Sequence, residues 1–127
     1  MDRQWEQVYD FHEKFGAPVS DRPKLVGVER VQARSKWMLE EVGEFLSART
    51  VVDQADAMID LIYFALGTLV EMGVKPEGLF DIVHGANMSK LWEDGKPHYN
   101  ADGKVIKSPG WEDPYPKLEK AIREMGK

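Results

Sequence analysis

The chain has no cysteine, only three histidines and no excess of positive charge. The missing cysteine excludes disulfides and thiolate zinc sites. A net charge of −5 argues against a nucleic-acid backbone or an anionic membrane as the main partner. A free nucleotide is not excluded, because its phosphates arrive with counter-cations. Long hydrophobic runs are missing too: the longest uncharged stretch, Leu61 to Val70, is too short to span a bilayer. The charged N-terminus, Met1-Asp2-Arg3-Gln4-Trp5-Glu6, has no signal core. The expectation is a soluble, cytoplasmic protein. No Asp-x-Asp follows a strand-like run to act as a phosphoryl nucleophile.

The 127 residues suit one domain, 1–127, with a real core. The hydrophobic spacing predicts a helix over 3–15, with Asp2 as its cap, and a second over 28–49. The core stripe of that second helix is Val31, Met38, Leu39, Val42, Phe45 and Leu46. A third helix starts near Asp53, with Asp56 at its third position, and ends at Gly73, which suits a left-handed cap. Pro76 opens a fourth, whose apolar side is Leu79, Phe80, Ile82, Val83 and Ala86. From 91 to 111 turn residues dominate, and Asp102-Gly103 between Tyr99 and Val105-Ile106 predicts a small hairpin. Asp113-Pro114-Tyr115-Pro116 introduces a last helix. The fold class expected is all-α: a four-helix bundle with an irregular or hairpin flap and a C-terminal helix.

Two acidic clusters carry the chemistry. Glu40-Glu41-Val42-Gly43-Glu44 lies on the second helix, and Asp56 and Asp60 share one stripe of the most apolar helix. Acids inside a helix that is apolar nearly all round need compensation, and a hard divalent cation held by oxygen ligands supplies it. The expected ligands are Glu40, Glu44, Asp56 and Asp60. Glu41 projects about 100° away from Glu40; it is assigned to a second ion or to general-base duty. Oxygen-only ligation favours Mg²⁺, with Mn²⁺ as a substitute. A di-iron site would need two Glu-x-x-His motifs, and the chain offers only Asp81-Ile82-Val83-His84. Gly67 continues the acidic stripe, where a missing side chain lets a neighbour approach.

Glu-Glu-x-x-Glu followed by an acidic stripe on an apolar helix resembles the all-α nucleoside triphosphate pyrophosphatase superfamily. That group includes MazG-like enzymes and phosphoribosyl-ATP pyrophosphohydrolase. Residues 40–44 match its first motif in full. Asp60 matches the Asp of its Glu-x-x-Asp motif, but Ala57 stands where the Glu belongs, so Asp56 is the nearest replacement. The segments 56–63, 67–68, 83–84, 87–91, 94–97 and 102–107 resemble a MazG-type subgroup sometimes labelled "Cof-like". The resemblance implies Mg²⁺-dependent hydrolysis of a nucleoside triphosphate to monophosphate and pyrophosphate, in a homodimer or homotetramer, for nucleotide housecleaning.

For the phosphates, Asn87 and Lys90 are three apart and share a helix face if the fourth helix reaches that far. Lys96, Lys104 and Lys107 in the flap either close over the ligand or are solvated surface lysines. Arg34 either reaches a phosphate or makes a surface ion pair. Trp37 lies on the side of its helix that carries the glutamates. It either packs in the core or joins Phe11, His12 and Phe15 in a nucleoside pocket. His12 and His84 read as structural histidines. Two other classes remain open beside the enzyme: a non-catalytic nucleotide- or metal-binding module, and an interaction protein whose acidic stripe faces a basic partner.

Overall fold

The computed structural model describes residues 1–127, and the fold is all-α, with five helices and one two-stranded hairpin. The elements are α1 (Asp2–Phe15), α2 (Val28–Ser47), α3 (Val51–Met72), α4 (Glu77–Met88), β1 (His98–Tyr99), β2 (Val105–Ile106) and α5 (Tyr115–Met125). They fall into two compact units, Met1–Pro76 and Glu77–Lys127. No single helix is long and apolar enough to cross a membrane.

In the first unit, α3 packs against both α1 and α2. Trp5, Val8, Leu66 and Val70 form the buried centre, with Tyr9, Val19 and Leu69 against it. Local chemistry sets the helix ends. Thr50, not Asp53, caps α3: its hydroxyl accepts the Asp53 N–H at 3.1 Å, which puts Asp53 at the third helical position. Likewise α1 begins at Asp2, with Met1 ahead of it as cap. Gly73 ends α3 at φ 69°, and its N–H and that of Val74 take up the carbonyls of Val70 and Leu69. The loop after α1 returns to the same end, where Ser20 and Lys24 donate to the carbonyls of Val70 and Met72 at 3.1 and 2.9 Å. A Cβ at Gly73 would collide with the Arg22 carbonyl oxygen, so only glycine fits.

The stripe of α2 expected in the core is largely on the surface. Val31, Leu39, Val42, Phe45 and Leu46 are exposed, and the one buried residue of α2 is Arg34. The helix turns a different side to α3, the one carrying Arg34, Trp37 and Glu41. Helix α3 is likewise not wrapped on all sides: Ile59, Ile62 and Tyr63 are exposed, and Asp60 is half-buried rather than sunk in the core.

The second unit contains α4, the hairpin and α5, with α4 and α5 in contact. In the hairpin, His98 faces Ile106 and Tyr99 faces Val105. Asn100 builds the turn, its side-chain oxygen accepting the N–H groups of Asp102 and Lys104 at 2.9 and 3.0 Å. Ser108 is buried and donates to the Ser89 carbonyl at 2.7 Å, tying the end of the loop to the turn after α4.

Candidate active site

Helices α2 and α3 meet along three successive layers. At one end Arg34 reaches Glu71, in the middle Trp37 meets Phe64, and at the other end Glu41 and Glu44 face Asp60. Residue numbers rise along α2 as they fall along α3, so the two helices run antiparallel. On α2 each layer is about one turn from the next; on α3 Asp60 and Phe64 are one turn apart, and Glu71 lies about two turns beyond Phe64.

The acidic layer is the candidate metal centre. Glu41, Glu44 and Asp60 each offer a carboxylate oxygen, all within 4.8 Å of one another. Burial, a hydrogen bond to Glu44 and the charges of Glu44, Asp60 and Asp56 together push the Glu41 carboxyl above its usual range. Asp60 is pushed up as well, by burial and then by Asp56 and Glu44. Glu41 Oε2 is shut off from solvent and has no hydrogen-bond partner. A buried carboxylate oxygen without a donor is unfavourable, and a cation against it removes the penalty. Three oxygen donors of this kind fit a hard divalent ion. Of the four ligands expected from sequence, the structure brings Glu44 and Asp60 together and leaves Glu40 and Asp56 outside the group. Glu41 stands in the cluster, whereas Glu40 is exposed and lines a separate groove with Val31, Lys36 and Leu39. Asp56 lies outside the group of three but close enough to raise both Glu41 and Asp60. With Glu44 and Asp53 it lines an adjoining depression of 220 Å³.

The charged layer lies at the opposite end of the helix pair from the carboxylates. Glu71 is buried and binds two arginines: Arg30 Nε and Nη2 donate to its two oxygens at 2.9 Å each, and Arg34 Nε donates to Oε2. Arg34 is thus an internal ion-pair residue, not a surface one. Burial alone would raise the Glu71 carboxyl, but the hydrogen bonds from Arg30 and Arg34 outweigh it and hold it below its usual value. Arg34 Nη2 also faces His12 Nε2 at 3.1 Å, and His12 Nδ1 lies 2.8 Å from the Pro18 carbonyl. Because arginine only donates, Nε2 is the acceptor and Nδ1 carries the proton, so His12 is neutral and structural. The signal for this layer was present in the sequence as Arg30 and Arg34 one turn apart, with Glu71 one turn beyond Gly67.

Above the arginines is a cleft of 270 Å³. Phe11 and Phe15 stack at 4.4 Å on one side, and Tyr63 meets Phe11 edge-on at 5.7 Å. Trp37 and Phe64, 5.9 Å apart, form the other side. The guanidinium carbons of Arg30 and Arg34 stand 5.5 and 5.2 Å from the Trp37 ring centre. Trp37, Phe11, His12 and Phe15 all line this cleft.

The remaining candidates belong to the second unit. Asn87 is exposed in the last turn of α4, and the Lys90 N–H donates to its carbonyl at 3.1 Å in the turn that follows. Lys96 and Lys104 are exposed loop residues. Lys107 lies 4.0 Å from the ring centre of Trp111.

A family model for phosphoribosyl-ATP pyrophosphohydrolase matches residues 8–87. The chain belongs to this family. The match contains both acidic helices and the aromatic cleft, so the all-α pyrophosphohydrolase fold expected from the glutamate motif is the fold observed. Among solved structures, the chain is similar to a protein from Exiguobacterium sp. 255-15 described as a "putative NTP pyrophosphohydrolase". Identity is 32%, the alignment covers 96% of this chain and 95% of the other, and the TM-score is 0.56. No curated protein matches the chain.

Proposed function

We propose that this member of the family is a Mg²⁺-dependent nucleoside triphosphate pyrophosphohydrolase, converting a (d)NTP and water to the (d)NMP and pyrophosphate. The observation that carries the reading is the adjacency of two unlike sites on one helix pair. Glu41 is one turn from Trp37 on α2, and Asp60 is one turn from Phe64 on α3. A cation centre one turn from an aromatic cleft suits a ligand with a flat ring at one end and phosphates at the other.

Each residue has a distinct task. Glu41, Glu44 and Asp60 would hold the ion, Mg²⁺ or in its place Mn²⁺. Such an ion, when bound, supplies Lewis acidity to the phosphoryl oxygens and acidifies a water molecule. Asp56, outside the three ligands yet within their electrostatic reach, is the carboxylate left to take the water proton. Trp37, Phe64 and Tyr63 exclude water around the base, and the arginine pair at Glu71 fixes the floor beneath it. Incubation with a panel of nucleoside triphosphates and Mg²⁺, scored for pyrophosphate release, tests the reading. Turnover that is lost in Asp60→Ala supports it, and no release from any triphosphate overturns it.

The assembly proposed is a homodimer or a higher even-numbered oligomer. Leu39 is 67% exposed and Leu46 86%, with Val31 and Val42 on the same side of α2. A continuous apolar strip of this kind is unusual on a free surface and suits a symmetric contact with a second copy.

A further inference from the structure

The charged layer does more than fill the space beneath the cleft. Glu71 and His12 occupy Nε and Nη2 of Arg34, and Glu71 occupies Nε and Nη2 of Arg30. Neither Nη1 has an acceptor from the protein, and neither is among the atoms cut off from solvent. Both arginines line the cleft; Arg34 Nη1 lies against Gly67, so the open N–H donor is that of Arg30, whose side chain is 37% exposed. The rest of the lining is richer in donors than in acceptors: the Trp37 indole N–H only donates, and the Tyr63 hydroxyl donates and accepts. It contains no carboxylate and no amide; His12 Nε2 is already used by Arg34. The Tyr63 hydroxyl can donate, and burial pushes its pKa up, so it keeps its proton at neutral pH. Two arginines against one glutamate, with neutral His12, also leave one net positive charge at the floor. At 270 Å³ the cleft is at the small end of ligand pockets, which begin at about 300 Å³, and suits one ring system rather than a whole nucleotide.

We infer that this cleft selects nucleobases by the group at pyrimidine position 4 or purine position 6, accepting the carbonyl of uracil, thymine, hypoxanthine or guanine and disfavouring cytosine and adenine, whose amino group at that position would face donors. The inference rests on the triphosphate-hydrolysing reading for its substrate and on Arg30 and Tyr63 for its selectivity. A donor aimed at an amino group leaves both unsatisfied, and a site built of hydrogen-bonding groups rejects a mismatched ligand more strongly than an apolar pocket does. Arg30 is the adjustable member. It is more open to solvent than Arg34, and Arg34 remains to hold Glu71 if Arg30 is changed.

Matched pairs that differ by one keto–amino exchange give the test. Binding of UMP against CMP, and of IMP against AMP, is read by quenching of tryptophan fluorescence, with Trp37→Phe to identify the reporting residue. The keto member should bind at least about tenfold more tightly, the effect of one unsatisfied polar group. In turnover, dUTP and dITP should exceed dCTP and dATP in kcat/KM by a similar factor. Arg30→Gln, which places an amide acceptor in the cleft, should narrow both preferences by weakening the keto member more than the amino member. Equal affinities within each pair, or an amino preference, would overturn the inference. Equal turnover of all four triphosphates would remove the selectivity while leaving the enzyme reading intact. Absence of any turnover would remove the enzyme reading, and the monophosphate pairs would still decide the selectivity.

Discussion

Gly67 lies so close to the Arg34 guanidinium that a Cβ at position 67 would come within 2.7 Å of Nη1 and 3.0 Å of His12 Nε2. The absence of one side chain on α3 is what lets an arginine from α2 and a histidine from α1 meet at its surface.

Gly67→Ala should therefore destabilise the protein by about 1–3 kcal/mol, as overpacking does. Helix propensity alone favours alanine by about 1 kcal/mol, so the two effects have opposite signs. Urea denaturation decides between them, and a variant as stable as the wild type would show that Arg34 moves away freely.

Glu71 is the anion that two arginines share, and it is buried. Glu71→Gln should cost about 3–5 kcal/mol, because it leaves buried guanidinium charge uncompensated. A loss below 1 kcal/mol in chemical denaturation would mean that water reaches the pair in the native protein.

Acid should weaken the same layer in two stages. Burial, reinforced by Arg34, holds the His12 imidazole below its usual 6.5 against the opposing hydrogen bond to Pro18. The unfolded chain thus binds the proton more readily, and stability falls as the pH drops below 6.5. Glu71 acts in the same direction at lower pH: its contribution is present above its ordinary value of 4.5 and is lost as the pH falls through its lowered value in the folded state. Thermal melts of wild type and His12→Asn between pH 5 and 7 isolate the first stage. The slope should flatten in the variant, and an unchanged slope would assign it to other groups.

Glu40 and Glu41 separate the sequence expectation from the structure. Glu41→Gln should abolish saturable Mn²⁺ binding, measured by calorimetry without nucleotide, and reduce turnover by at least about a hundredfold, the scale of an oriented electrostatic group. Glu40→Gln should change either quantity by less than about twofold, as surface substitutions do. The reverse pattern would return the ligand role to Glu40.

The apolar strip on α2 predicts a dimer in light scattering at micromolar concentration. Leu39→Glu with Leu46→Glu should give a monomer with unchanged helical circular dichroism, because neither residue is buried in the chain. A wild-type monomer with full activity would remove the assembly.

Much of the fold was readable because its signals are local. Gly73 ends α3 by its own backbone freedom, Asp102-Gly103 turns the hairpin, and Pro114 and Pro116 introduce α5 through a few neighbouring residues each. The acidic motif was legible for the same reason: its spacing on a helix places carboxylates together whatever they face. Which carboxylate faces inward was not. Glu40 and Glu41 both lie near Glu44 on a helical wheel, and only the rotation of α2 about its axis chooses between them. That rotation is set by Arg34 meeting Glu71 across 37 positions of sequence and by Trp37 meeting Phe64. The same rotation turned Leu39 and Leu46 outward and made Arg34 a core residue. By itself the sequence determined the helices, their ends and the presence of an acidic centre, since these follow from residues within a turn or two of one another. The tertiary structure alone decided which faces meet, because burying Glu71 between two arginines is a contact between distant segments that no local pattern encodes.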